Sequence, residues 1–214
     1  MRVKYLVAGI LAAVMAAPSL PAAEAEAVTT LNFAVMRNGD QIGTSTLRLR
    51  HSGRETVAEI ATHIRVTIGF LTVYRFDQTE TEHWADGKLV ALNSMTDDNG
   101  TLHRVKAARS GAALAVEANG KLSEVDPAVV PVSLWNASLL SQTMALNPQD
   151  GSMTPVSVID HGEEQLVLQG RPTTARHYSI KTSFPQDVWY DQHHRLVQVE
   201  LRGSDGSRIQ YRPA

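Results

Sequence analysis

The chain contains no cysteine among its 214 residues. That excludes disulfides, thiolate catalysis, cysteine-ligated zinc and an acyl anchor on a cleavage-site cysteine. An exported domain without disulfides must rely on its core for stability. Aromatic residues are sparse, at 6%, so any face on which they gather stands out. There is no basic block and no acidic tail. Charges of both signs alternate along the chain and leave a formal net charge of −2. Nucleic acid and anionic membrane surfaces are therefore poor partners. After Ala27 no apolar run approaches the ~20 residues that span a bilayer.

What is present begins with the N-terminus. Arg2 and Lys4 open the chain, an uncharged stretch runs from Tyr5 to Ala17, and Pro18, Pro21 and small residues follow. This is the three-part plan of a secretory signal peptide. The triplets Ala23-Glu24-Ala25 and Ala25-Glu26-Ala27 place small residues where a signal peptidase reads. Residues 1–27 are thus expected to be removed. One soluble domain, residues 28–214, would remain in the periplasm or be secreted. About 187 residues suffice for one domain with a sizeable core.

Turn-forming pairs punctuate that domain: Asn38-Gly39, Ser52-Gly53, Asp86-Gly87, Asn99-Gly100, Ser110-Gly111, Asn119-Gly120, His161-Gly162 and Asp205-Gly206. Each supplies the positive φ that a tight hairpin turn requires. Between them, apolar and polar residues alternate. Leu31, Phe33 and Val35 share a side, as do Ile60, Ile64, Val66 and Ile68, and as do Val197, Val199 and Leu201. The fold class predicted is all-β: an antiparallel meander of about ten to thirteen strands in a strongly curved sheet or open β-barrel. One segment departs from this. Ser133 is placed to cap a short helix reaching Gln142, with Trp135, Leu139 and Leu140 as an apolar lid or plug.

Candidate sites are few. The eight histidines form no His-x-His or His-x-x-x-His pair, so a metal would need ligands assembled across strands, such as His63, His83 and His103 with Asp97 or Asp98. Solvated strand histidines are the simpler account, and neither metal nor cofactor is expected. Ser133 and Ser138 have no Gly-x-Ser-x-Gly elbow, and no phosphate loop is present. Asp97-Asp98 and Glu163-Glu164 read as solvated turn charges. Arg176 is placed for a cross-strand pair with Asp187 or Asp191. The remaining signal is aromatic. Phe70, Tyr74 and Phe76 are assigned to one face of a strand, Trp135 and Leu139 to one face of the helix, and Trp189 to a strand beside a turn. These six either fill a core or line a cavity for an apolar ligand.

Glu82-His-Trp-Ala-Asp-Gly-Lys-Leu-Val-Ala-Leu followed by Thr96-Asp-Asp-Asn-Gly, then Ser133-Leu-Trp-Asn, then Gly170-Arg-Pro, Ala175-Arg-His-Tyr and Asp187-Val-Trp-Tyr-Asp, and last Leu196-Val through Asp205-Gly-Ser, together resemble an exported bacterial family, domain of unknown function 6134. The whole is more loosely similar to half-open-barrel lipoprotein carriers, in which a curved sheet wraps an apolar cavity and a helix-bearing segment closes it. The resemblance implies that architecture and carries no catalytic residues. The function expected is binding or carrying a lipid or other apolar molecule in the cell envelope. A hydrolase with a site built across strands, or a protein-binding envelope scaffold, is the alternative.

Overall fold

Alternating polarity becomes strand wherever a Gly-containing pair turns the chain back. The computed structural model describes residues 26–214, so the expected signal peptide, but for Glu26 and Ala27, lies outside the described residues. The first eight strands are β1 (Ala27–Arg37), β2 (Asp40–Ser52), β3 (Glu55–Ile68), β4 (Leu71–Ala85), β5 (Lys88–Asp98), β6 (Thr101–Ser110), β7 (Ala113–Ala118) and β8 (Lys121–Val125). A segment with two short strands follows, β9 (Met144–Leu146) and β10 (Met153–Pro155). The chain then resumes long strands: β11 (Ser157–Leu168), β12 (Arg171–Lys181), β13 (Gln186–Tyr190), β14 (Leu196–Arg202) and β15 (Arg208–Pro213). Asn38-Gly39, Asp86-Gly87, Asn99-Gly100 and Asn119-Gly120 have positive φ at both positions, the backbone of two-residue hairpin turns. His161-Gly162 is an exception: it lies inside β11 as a bulge, not at a turn.

Thirteen strands form one antiparallel sheet in the order β11-β12-β13-β14-β15-β1-β2-β3-β4-β5-β6-β7-β8. This is a meander whose two ends meet at β15 and β1, where Val35 faces Tyr211. The sheet's edges are β8 and β11, so it stays open. Flat, it would be about 58 Å across at ~4.8 Å per strand. Yet one hydrophobic cluster contains Leu114 and Val116 from β7 and Ile180, Val188 and Val199 from β12 to β14. The sheet is therefore curled around that cluster.

The register defines the inner face. One row runs Leu31, Leu47, Ile60, Glu80, Ser94, Val105, Ala118. The next runs Phe33, Ser45, Thr62, Gln78, Thr96, His103.

Because β8 and β11 lie at opposite edges, the segment between them has to cross the open side. It does so through the interior as a plug. Val129, Val130, Leu139, Ala145, Leu146 and Val156 are buried in the same cluster as the sheet. Its backbone polar groups are satisfied internally, as burial demands: β9 pairs with β10, Val132 N–H donates to Leu146 O at 2.9 Å, and Leu146 N–H to Val130 O at 3.1 Å. Gly151, at φ 77°, packs so closely that a Cβ there would lie 2.5 Å from that of Ala118. Side chains tie the plug to both halves of the sheet. Arg109 Nη2 donates to Pro127 O at 2.8 Å, and Tyr190 Oη donates to Leu134 O at 2.7 Å.

The expected helix over 133–142 is reduced to a 3-10 turn, Ala137–Ser141, capped by Asn136 rather than Ser133. Leu134 has φ 63°, a left-handed backbone that no helix passes through, at an expense of about 1–2 kcal/mol. Its carbonyl is spent on Tyr190. Among the described residues no helix is long and apolar enough to cross a membrane.

Leu139 is wholly buried between plug and sheet. Leu139→Ala is expected to lower stability by about 2–5 kcal/mol, read as a fall in denaturation midpoint. A change below about 1 kcal/mol would show that the plug is loosely held.

Candidate functional site

The inner face has three zones along β3 and β4. Period-two alternation places Tyr74, Phe76, Gln78, Glu80, Glu82 and Trp84 on one side of β4. The end nearest the β3–β4 turn is apolar. There Ile64 pairs with Phe76 and Val66 with Tyr74, all four half-buried. Tyr74 Oη donates to Asp98 Oδ1 at 2.9 Å, and Gln149 of the plug donates to the other oxygen of that carboxylate at 3.3 Å. Burial, the hydrogen bond to Asp98 and the Asp98 charge raise the Tyr74 hydroxyl above its ordinary range, and Tyr211 adds to this. Tyr211 is on β15, four strands away in the sheet, so the curl brings the two side chains within electrostatic reach. Burial pushes Tyr211 up to about 12.

The middle zone is polar and closed. Ser45 Oγ and Thr62 Oγ1 are 2.8 Å apart. Glu80, Glu82, Ser94 and Thr96 are buried, and Glu80 Oε1, Glu82 Oε1, Ser94 Oγ and Thr96 Oγ1 have no hydrogen-bond partner. Glu82 Oε2 is held by two indoles: Trp84 Nε1 donates at 2.6 Å and Trp135 Nε1 at 2.9 Å. The rings meet edge to face, with centroids 5.7 Å apart. Burial and then the Glu82 charge raise Glu80 well above the usual carboxylate range. Glu80 therefore keeps its proton to a higher pH than a solvated carboxyl does.

The third zone is the turn itself. Ile68, Gly69, Phe70 and Leu71 form a two-residue hairpin loop, with Ile68 opposite Leu71. Phe70 is fully exposed, Ile68 and Leu71 are more than half exposed, and Val73 beside them is also open.

The six residues expected to bind an apolar ligand thus separate. Tyr74 and Phe76 lie together at the apolar mouth. Phe70 is in the turn, not on their strand face. Trp135 and Leu139 belong to the plug, where Trp135 precedes the 3-10 turn, so the two share no helix face. Trp189 lies on the outer face, its ring stacked on His177 at 4.4 Å.

Other expected groupings also separate. His63 and His83 are on the outer face, with His63 Nδ1 2.8 Å from Asp77. His103 is in an inner-face row beside Asn119, so these histidines do not converge. Asp97 pairs with Arg75, and Asp98 serves Tyr74. Glu163 lies opposite Arg176, whereas Glu164 lies opposite Ala175 and accepts the Trp189 N–H. Arg176 pairs with Asp160 at 2.6 Å, not with Asp187 or Asp191: it lies opposite Tyr190, so Asp187 projects from the other face, and Asp191 is held by Arg195. Ser133 and Ser138 lie in the plug and His177 on the outer face, so they make no catalytic set. The sequence reasoning missed the buried Glu80–Glu82 pair. The alternation that grouped Tyr74 and Phe76 places both on that same face of β4.

A family model described as domain of unknown function (DUF6134) matches residues 33–214. The chain belongs to the DUF6134 family. No curated protein matches it. Among solved structures, it is similar to a β-barrel-like protein of domain of unknown function DUF1849 from Brucella abortus. That match has a TM-score of 0.64 and 9% identity, covering 86% of this chain and 94% of the other. At that identity the likeness shows the fold alone.

A raised Glu80 makes a signed prediction. The folded protein keeps the Glu80 proton over a pH range in which the unfolded chain has lost it. Stability then falls as pH rises above about 4.3. Asp160, lowered by Arg176, and Asp205, lowered by Ser207 and Arg37, act in the opposite sense at lower pH. Between about pH 5 and pH 8 the melting temperature of Glu80→Gln is expected to fall less than that of the wild type. Equal slopes would contradict a raised Glu80.

Proposed function

We propose that this protein is exported to the cell envelope and there binds an apolar molecule, such as a lipid chain, at the mouth formed by the β3–β4 hairpin. The observation that carries the reading is the run of exposed apolar side chains Ile68, Phe70, Leu71 and Val73, continuous with the half-buried Ile64, Val66, Tyr74 and Phe76. A packed domain gains nothing from a phenyl ring fully in water, and contiguous exposed apolar surface marks an interaction site. The mouth is apolar and its floor, at Asp98 and Gln149, is polar. A ligand with a polar group at one end of an apolar chain matches both zones. Trp135 and Leu139 belong to the plug, Trp135 bonded to Glu82 and Leu139 buried in the core. Export rests on the Arg2–Ala27 segment.

The test separates binding from stability. Phe70 is fully exposed, so Phe70→Ser is expected to leave stability within about 0.5 kcal/mol. Removing an aromatic contact worth about 1.5–3 kcal/mol would weaken binding of a lipophilic fluorescent probe about tenfold or more. Phe76→Ser at the mouth should weaken it as well. Wild-type protein that binds no probe and yields no lipid on extraction, or a Phe70→Ser variant that binds undiminished, would reject the reading.

A further inference from the structure

On the outer face of β11, β12 and β13, remote from the apolar mouth, three side chains from three strands converge. We propose that His161, His177 and Asp187 form a binding site for a divalent metal ion of the zinc class. One potential ligand atom from each lies within 4.8 Å of the others. The inference is independent of the apolar-ligand reading.

The local backbone explains the convergence. β11 and β12 shift register between Asp160 and Gly162, leaving His161 as the extra residue of a bulge. Bulges re-aim side chains, and this one is pinned. Asp160 Oδ1 accepts Gly162 N–H at 2.9 Å, and the Arg176 guanidinium grips the same carboxylate from β12 at 2.6 to 3.1 Å. Gly162, at φ 85°, completes the turn of the backbone. His161 is thereby laid over His177, ring on ring, at 4.5 Å. On its other side His177 stacks on Trp189 at 4.4 Å, with 11° between planes. Its ring is fixed from both faces.

The polar contacts have the pattern of a ligand set. His177 Nε2 is shielded from solvent and has no hydrogen-bond partner. It lies 3.4 Å from Asp187 Oδ1. Two ligand atoms on one tetrahedral zinc, each at ~2.0–2.1 Å, are about 3.3–3.4 Å apart. The other nitrogen, Nδ1, is 4.0 Å from Glu164 Oε1, the carboxylate that also holds the Trp189 N–H. A carboxylate behind the distal nitrogen of a ligating histidine is the usual outer support of such sites. His161 Nε2 contacts Ser179 Oγ at 2.8 Å, and Ser179 Oγ in turn donates to Asp187 Oδ1. The hydroxyl thus occupies the space between the two outer ligands. Two imidazoles and one carboxylate favour zinc or a neighbouring transition ion over calcium or magnesium. With three protein ligands, a fourth position remains for water or a small anion.

The experiment uses the mature chain without a polyhistidine tag, stripped with chelator and titrated with Zn²⁺ by calorimetry. Cobalt is the spectroscopic probe of coordination number. One ion per chain is expected, with affinity reduced tenfold or more in His161→Ala and in His177→Ala. His63→Ala, whose imidazole lies elsewhere on the outer face beside Asp77, is expected to bind as the wild type does. Should His177→Ala fail to fold for want of its ring against Trp189, Asp187→Asn, which keeps size and shape, decides the matter by the same tenfold criterion. A wild-type chain that binds no zinc, variants that bind undiminished, or equal loss in His63→Ala would overturn the proposal.

Discussion

An unclosed sheet has to cover its own inner face, and here everything else depends on the segment that does so. The thirteen-stranded sheet ends at β8 on one side and β11 on the other. The chain must pass from one edge to the other, and the shortest covered route lies through the interior. Because that crossing is buried, its backbone has to be paired, which accounts for β9, β10 and the Val130–Val132 contacts with Leu146. It also has to be tied to both sides of the gap. Tyr190 from one half and Glu82 and Arg109 from the other supply those ties. The open barrel keeps its curl because the plug is core to both halves.

That arrangement divides the inner face. Where the plug lies, between β4 and β8 and against β12 to β14, the interior is packed and bound by indole–carboxylate and backbone bonds. Where it does not reach, at the β3–β4 hairpin, apolar rows run on into solvent. Between them lies the buried carboxylate pair. Glu82 accepts one indole N–H from the sheet and another from the plug, so its carboxyl ties the crossing segment to β4. Burial and the neighbouring Glu82 raise the Glu80 carboxyl well above the usual range. Removing the Glu82 carboxyl would leave both indole donors unsatisfied, so Glu82 helps to fix the position of the plug.

Much of the fold was legible in the sequence because hairpins are local. Asn38-Gly39 or Asn99-Gly100 sets a turn whatever else the chain does, and the alternation on either side sets the faces. The edge-to-edge crossing was less legible. Its apolar residues are spaced to suit a helix, but Leu134 is bent out of helical backbone by tertiary contacts that no window of sequence contains. Gly69-Phe70 is a turn without an Asn or Asp partner, so Phe70 read as strand. His161-Gly162 has the composition of a turn and is a bulge, because β12 pairs on both sides of it. Glu80 and Glu82 were hidden by the expectation that carboxylates face water. Their burial becomes intelligible only once Trp135 is seen to reach Glu82 from more than fifty positions away. The His161–His177–Asp187 cluster combines a bulge with a cross-strand register, neither of which has a spacing signature.

The account turns on the claim that the crossing segment is fixed core and the hairpin end is the part that meets a ligand. Amide hydrogen exchange with and without an added lipophilic ligand measures this directly. The amides of Val132, Leu146 and Val156 are expected to exchange as slowly as those of β5 and β6 in the free protein. Added ligand should increase protection only between residues 64 and 76. Fast exchange in the plug, or ligand protection that appears there instead of at the hairpin, would show that the segment is a moving lid and would contradict the account.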